Sequence, residues 1–284
     1  MAVIESAGIT DVGRKRTGNE DSLFLDNDAR LYIVADGMGG HQAGEVASKL
    51  VVNTIWDYMK RFNGNDDVEE LEDTDETLSR EANRLLSSIH LANKGVYNAA
   101  LGNDSYRGMG STVSLVSFAN EALIAANVGD SPIYLVHNGS IELLSVTHNV
   151  ITELMEVDPE AAEQIGEQYR HMLTRGMGIE ETVNPAISEI QYFKGDILII
   201  SSDGLSDKVS PDEILEVVSK ERPDRACRIL VDLANERGGD DNITVIVLKI
   251  KSVKRGMKEL ISRIMLPFQK ILIRKGACYA DCNA

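Results

Sequence analysis

The chain has 284 residues, 43% of them apolar, enough to bury one large core or two small ones. The opening MAVIESAGITD lacks a basic segment and a long apolar stretch, so it does not read as a signal peptide, and no apolar run approaches the roughly 20 residues of a membrane-spanning helix. The net charge of −16 is uneven: residues 251–284 hold eight Lys/Arg against Glu259 and Asp281, a net of +6, which leaves residues 1–250 at −22, a poor surface for nucleic acid.

In chain order, the short runs Leu31–Ala35, Thr112–Phe118, Ala122–Val128, Ile133–Val136, Ile197–Ile200 and Ile243–Ile250 are rich in Val, Ile and Leu and read as strands. Ala43–Phe62 and Leu78–Leu101 carry apolar residues at helical spacing, and Pro211–Ser219 and Arg225–Glu236 read as further helices. The order suggests α+β layers rather than regular βαβ alternation. Asp66–Glu76 is dense in carboxylates and reads as a solvated linker. The body is expected to end near Ile250. A basic amphipathic tail, 251–284, follows, in which Met257, Leu260, Ile261, Ile264, Phe268, Ile271 and Leu272 share a helical face and Pro267 breaks it. Residues 254–274 suit docking on the acidic body, on a partner, or on a membrane surface. Cys227, Cys278 and Cys282 make no disulfide framework, which fits a reducing cytoplasm.

The chemistry is carried by aspartates. Asp36, Asp130 and Asp203 each close an apolar run, whereas Asp21 and Asp241 stand just before one. In antiparallel neighbours the end of one strand lies beside the start of the next, so these five carboxylates can gather at one edge. Singly, each reads as a turn residue. Together, like charges so gathered need cations, and a metal site is at least as good a reading. Carboxylate and carbonyl oxygens suit Mg²⁺ or Mn²⁺, and no Cys/His pattern with zinc spacing is present. Asp36-Gly-Met-Gly-Gly-His41 is glycine-rich, yet it is neither a Walker loop nor a dinucleotide fingerprint. No cysteine stands in a phosphatase nucleophile context. His90, His137, His148 and His171 read as structural or surface residues.

Seven segments carry a resemblance: TDVGRKRTGNED at 10–21, VADGMGGHQAGEVAS at 34–48, GMGST at 108–112, NVGDS at 127–131, LTRGMG at 173–178, GDILIISSDGLSD at 195–207 and GGDDNITVIV at 238–247. In this order they resemble the protein phosphatase 2C family, the metal-dependent serine/threonine phosphatases, and are similar to its short bacterial members. The resemblance implies a four-layer αββα sandwich of two antiparallel sheets flanked by helices, and a phosphatase domain over 1–250. It implies two Mn²⁺ or Mg²⁺ ions and a weaker third. Asp36 would bridge two ions, the Gly37 carbonyl would bind one, and Asp203 and Asp241 would complete the other. Glu20 and Asp21 would hold metal-bound waters or ligate indirectly, and Asp130, with Asp203 and Asp207, would form the third site. Arg16 would hold the phosphate and His41 would be the general acid. Such enzymes use an activated water on phosphoserine and phosphothreonine and reverse a protein kinase. Pro132 and Thr147 depart from the family pattern, which has Arg and Asp there. A silent phosphoprotein-binding relative and a hydrolase of a non-protein phosphomonoester are the competing functions. The flap expected to set specificity is roughly Val157–Tyr169.

Overall fold

The computed structural model describes residues 2–39, 42–62, 74–119, 122–164, 166, 169 and 172–253. The chain begins with β1 (Ala2–Asp11), β2 (Ser22–Asp26), β3 (Leu31–Ala35) and the two-residue β4 (Gly37–Met38). Two long helices follow, α1 (Gln42–Met59) and α2 (Arg80–Gly102), then β5 (Gly110–Ser111), β6 (Val113–Ala119), β7 (Ala122–Val128), β8 (Ile133–His137) and β9 (Ser140–Leu143). Next come α3 (Val150–Val157), α4 (Pro159–Gln164), β10 (Ala186–Gln191), β11 (Ile197–Ser201), α5 (Asp203–Ser206), α6 (Pro211–Lys220), α7 (Pro223–Glu236) and β12 (Ile243–Val253).

The strands form two antiparallel five-stranded sheets, ordered β1-β12-β11-β8-β9 and β10-β7-β6-β3-β2, and a small β4-β5 ladder. The two-residue period of β3 shows how the layers form. Leu31, Ile33 and Ala35 pack with Val51 and Ile55 of α1 and Leu85 and Ile89 of α2. Tyr32 and Val34 face the other way, into a core shared with Leu198, Ile200, Ile246 and Leu248 of the opposite sheet. That sheet's remaining face, with Ile197, Ile199, Val245 and Val247, is covered by Ile214 of α6 and Leu230 of α7. The result is the αββα sandwich that the resemblance implied. Central strands here are covered on both faces, so they read as unbroken apolar runs.

Local chemistry sets the helix ends. The Ser79 hydroxyl accepts from the Ala82 N–H and starts α2. At the start of α6 the Ser210 N–H and hydroxyl both donate to the Glu213 carboxylate, with Pro211 in the first turn. Residues 74–76 of the acidic linker lead into α2, and the Asp75 carboxylate accepts from the Thr77 N–H and hydroxyl. Residues 66–73 of that linker, and the tail from 254 onward, lie outside the described residues. β12 continues past the expected boundary at Ile250 because Val253 still pairs with Ala2 of β1.

Candidate metal centre and phosphate site

Ser22 pairs with Ala35, and Ser201 pairs with Val245. These registers set Asp21 beside Asp36 in one sheet, and Asp203 beside the start of β12 in the other. The sheets meet at Asp21, a buried residue whose Oδ2 accepts from the hydroxyls of Ser202 (2.8 Å) and Thr244 (2.6 Å) of the opposite sheet. Its Oδ1 is buried without a hydrogen-bond partner. Burial is the main force raising the Asp21 pKa to about 6, the two hydroxyls oppose it, and the charges of Asp203 and Asp241 add to it. Burial, then the charges of Asp21, Asp203 and Asp241, push Asp36 well above the carboxylate range. Four of the expected carboxylates therefore share one edge.

Arg16 is the cation at that edge. One of its terminal nitrogens donates to Asp241 Oδ2 at 2.7 Å, and Glu20 and Asp36 add attraction, so its pKa is raised. The neighbouring Asp240 is paired instead with Lys15 and Lys208, which hold it down at about 2. The loop carrying Arg16 is fixed by its backbone. The N–H groups of Arg14 and Lys15 donate to the Gly239 carbonyl at 2.8 and 3.1 Å. Asn242, nearly fully buried, donates to the carbonyls of Val12 and Gly18 at 2.9 Å each and accepts from the Glu20 N–H at 2.8 Å. Gly13 has φ +79°, and a Cβ there would lie 2.2 Å from the Asp241 carbonyl oxygen.

Gly37 is wedged between β2 and α1. Its N–H donates to the Glu20 carbonyl, and a Cβ there would lie 2.1 Å from the Gly44 carbonyl oxygen. Thr112 holds the end of β3: its N–H donates to the Asp36 carbonyl at 2.8 Å, and its hydroxyl accepts from the Asp36 N–H at 3.1 Å. The same hydroxyl meets that of Ser131 at 2.8 Å, which ties the residue after Asp130 to the end of β3. Asp207 is exposed at the end of α5, where its charge reaches Tyr134. His41 lies outside the described residues. Among the described residues, no three His, Cys, Asp or Glu side chains stand in ready-made ligand geometry. The carboxylates are gathered but not closed around a point, with Arg16 drawn onto Asp241.

His148 was read as structural or surface, and it is buried. Its Nδ1 accepts from the Gly129 N–H at 3.2 Å, and its Nε2 lies 3.3 Å from an Arg175 nitrogen. Burial, reinforced by Arg175, lowers its pKa to about 4. It thus fixes the loop before Asp130 to the turn that leads into α3. Of the expected flap, Val157–Tyr169, residues 165, 167 and 168 lie outside the described residues, as does His171 beyond it. Asn242, Ser202 and Thr244 carry no signal in the sequence beyond their place one to three residues from an aspartate at a strand end, and Thr112 shows there only as the first residue of a strand.

An oxygen-only donor set, an unpartnered buried carboxylate oxygen and raised carboxylate pKa values fit hard divalent cations. Such an edge is of the kind that metal-dependent hydrolases use. The family model described as protein phosphatase 2C matches residues 13–235. A protein phosphatase 2C-type protein of Streptococcus pyogenes is 34% identical over 248 residues, covering 86% of this chain and 96% of its own. The protein phosphatase PhpP of Streptococcus pneumoniae is 30% identical, covering 87% and 98%. The serine/threonine phosphatase of S. agalactiae superposes with a TM-score of 0.74 at 32% identity, over 88% of this chain and 100% of that one. The catalytic domain of the serine/threonine phosphatase PstP, in complex with two manganese ions, superposes at 0.73 with 30% identity, over 89% and 100%. The chain belongs to the protein phosphatase 2C family and is a phosphoric monoester hydrolase of the serine/threonine phosphatase class. No helix among the described residues is long and apolar enough to cross a membrane.

Proposed function

We propose that the protein removes phosphate from phosphoserine and phosphothreonine in proteins, with Asp36, Gly37, Asp203 and Asp241 holding two Mn²⁺ or Mg²⁺ ions. The observation that carries this reading is the shared edge of Asp21, Asp36, Asp203 and Asp241 with Arg16 at its mouth. When bound, the ions supply an activated water and neutralise charge on the phosphoryl group. Glu20 and Asp21 support the ligands from behind, and Asp130 and Asp207 with Asp203 would hold a weaker third ion.

Arg16 presents a planar fork of five N–H groups and grips two phosphate oxygens, leaving Asp241 to do so. Water oxygen bonds to phosphorus, the bond to the serine or threonine oxygen breaks, and that oxygen takes its proton from His41. The relatives' class suggests substrates phosphorylated by a serine/threonine kinase, and a cytoplasmic setting. Residues 254–274 would dock on the body, on a partner or on the membrane surface. Co-sedimentation with anionic liposomes, compared with a chain ending at Val253, tests the last of these.

Phosphate release from a phosphothreonine peptide and from an aryl phosphate, with Mn²⁺ and with excess EDTA, tests the core of the proposal. Both substrates should turn over with Mn²⁺ and neither with chelator. Full activity in EDTA overturns the two-ion reading, and turnover of the aryl phosphate alone favours a non-protein phosphomonoester.

A further inference from the structure

The chain order places two cavities at opposite poles of the helix layer. Helices α1 and α2 pack together, with the start of α1 beside the Asp36 loop and its end far from it. One cavity lies at the far pole, between Trp56, Phe62 and Arg84. The other lies at the catalytic pole, between Tyr97 and Leu101 of α2, Arg107, Met109, Gly178 and Ile179, and encloses about 200 Å³.

This second groove is tied to the catalytic loop by backbone. Met109 at its floor precedes Gly110, which pairs with Met38, and the next rung pairs Ser111 with Gly37. The Ser111 hydroxyl donates to the Asp36 carbonyl at 2.9 Å. Ser111 also exchanges backbone hydrogen bonds with Met177, two residues before Ile179. The rim is apolar and open to solvent: Leu101 is 71% exposed and Ile179 51%. These two large aliphatic side chains flank the cavity and give it an apolar rim. Arg107 is the only charged residue lining the groove. Among the described residues its guanidinium forms no ion pair.

We propose that this groove is a docking subsite for the protein substrate, taking an apolar side chain near the phosphorylated residue with an acidic group beside it on Arg107. The inference rests on the phosphatase reading above and names the sequence context that the site selects. The occupant follows from continuity and charge. A peptide whose phosphate reaches Arg16 must cross the rim around Asp36, and the β4-β5 ladder joins that rim to the groove floor. The apolar walls select an aliphatic or aromatic side chain. Arg107 is a positive point on a body of charge −22, and so selects a carboxylate next to it.

The test uses the full chain with Mn²⁺ and phosphothreonine peptides of otherwise Ala/Gly sequence. Each carries one Leu-Glu pair moved from five residues before the phosphothreonine to five after it. One placement should raise kcat/KM about tenfold over the unmarked peptide, the low end of what burying a leucine contributes. Leu101→Asp should erase most of that preference and Arg107→Ala the part due to Glu, while both leave turnover of an aryl phosphate within twofold. An active enzyme with no preferred placement overturns the inference alone. So does a preference that survives both substitutions, or a loss that falls equally on the aryl phosphate. Inactivity of the parent chain on every substrate overturns the phosphatase reading itself, and this inference with it.

Discussion

Asn242 offers a stringent test of how the site is held. Asn242→Ala removes three hydrogen bonds, to the Val12 and Gly18 carbonyls and from the Glu20 N–H, at a position 4% exposed. At about 1 kcal/mol net for each, the loss is about 3 kcal/mol, and more where water does not reach the stranded groups. For a domain of this size that is a fall in Tm of roughly 6–12 °C. The same bonds fix the turn that carries Arg16 between Val12 and Gly18, so catalysis should suffer beyond stability. With Arg16 free to wander, kcat/KM for a phosphopeptide should drop at least tenfold at temperatures where the variant is fully folded. Asn242→Asp keeps an acceptor for Glu20 but turns an oxygen toward two carbonyls, and should do no better than Ala. Urea denaturation with EDTA present, paired with initial rates in Mn²⁺, measures both effects. A variant within 1 kcal/mol and within twofold in kcat/KM would show that the loop is held by something else.

Asp36→Asn should abolish hydrolysis yet raise the Tm of the metal-free protein, because it removes a charge whose burial and neighbours are unfavourable; thermal melts in EDTA check the sign. His148 is neutral in the fold down to about pH 4, whereas an unfolded histidine takes a proton near 6.5, so stability is present above about 6.5 and is lost as pH falls toward 4. At pH 5 that loss is about 2 kcal/mol, and His148→Gln should flatten the difference in urea midpoint between pH 7 and pH 5. Gly37→Ala must push the backbones of Gly44 and Glu20 apart, and should lower both Tm and Mn²⁺ affinity; a normal Mn²⁺ titration would refute the close-packing argument. His41→Ala should reduce turnover of phosphothreonine about 10²–10⁴-fold and an aryl phosphate far less, since only the former has a strongly basic leaving oxygen; equal losses would give His41 another role.

The legible part of the fold was its doubly covered interior. Leu31–Ala35 and Ala122–Val128 coincide with β3 and β7 because strands buried on both faces need unbroken apolar sequence. The reading passed over β1 and β10, which lie at sheet edges, are half-exposed and mix polar residues into their runs. The carboxylate edge was legible for a related reason: an aspartate ending a buried run marks where the chain leaves the sandwich. What positions those aspartates was not legible. Ser202, Thr244 and Thr112 act through registers between strands distant in sequence, and in the sequence they look like ordinary turn and strand residues. His148 is similar, since its burial depends on Gly129 and Arg175 meeting in space.

β12 runs the full height of the sandwich, from Ile243 beside the carboxylate edge to Val253 opposite Ala2. In a chain ending at Val253, a resin, fluorophore or fusion partner joined there is therefore attached at the opposite end of β12 from the carboxylate edge. Immobilised through that end, the enzyme would present its catalytic rim outward to phosphoproteins arriving from solution.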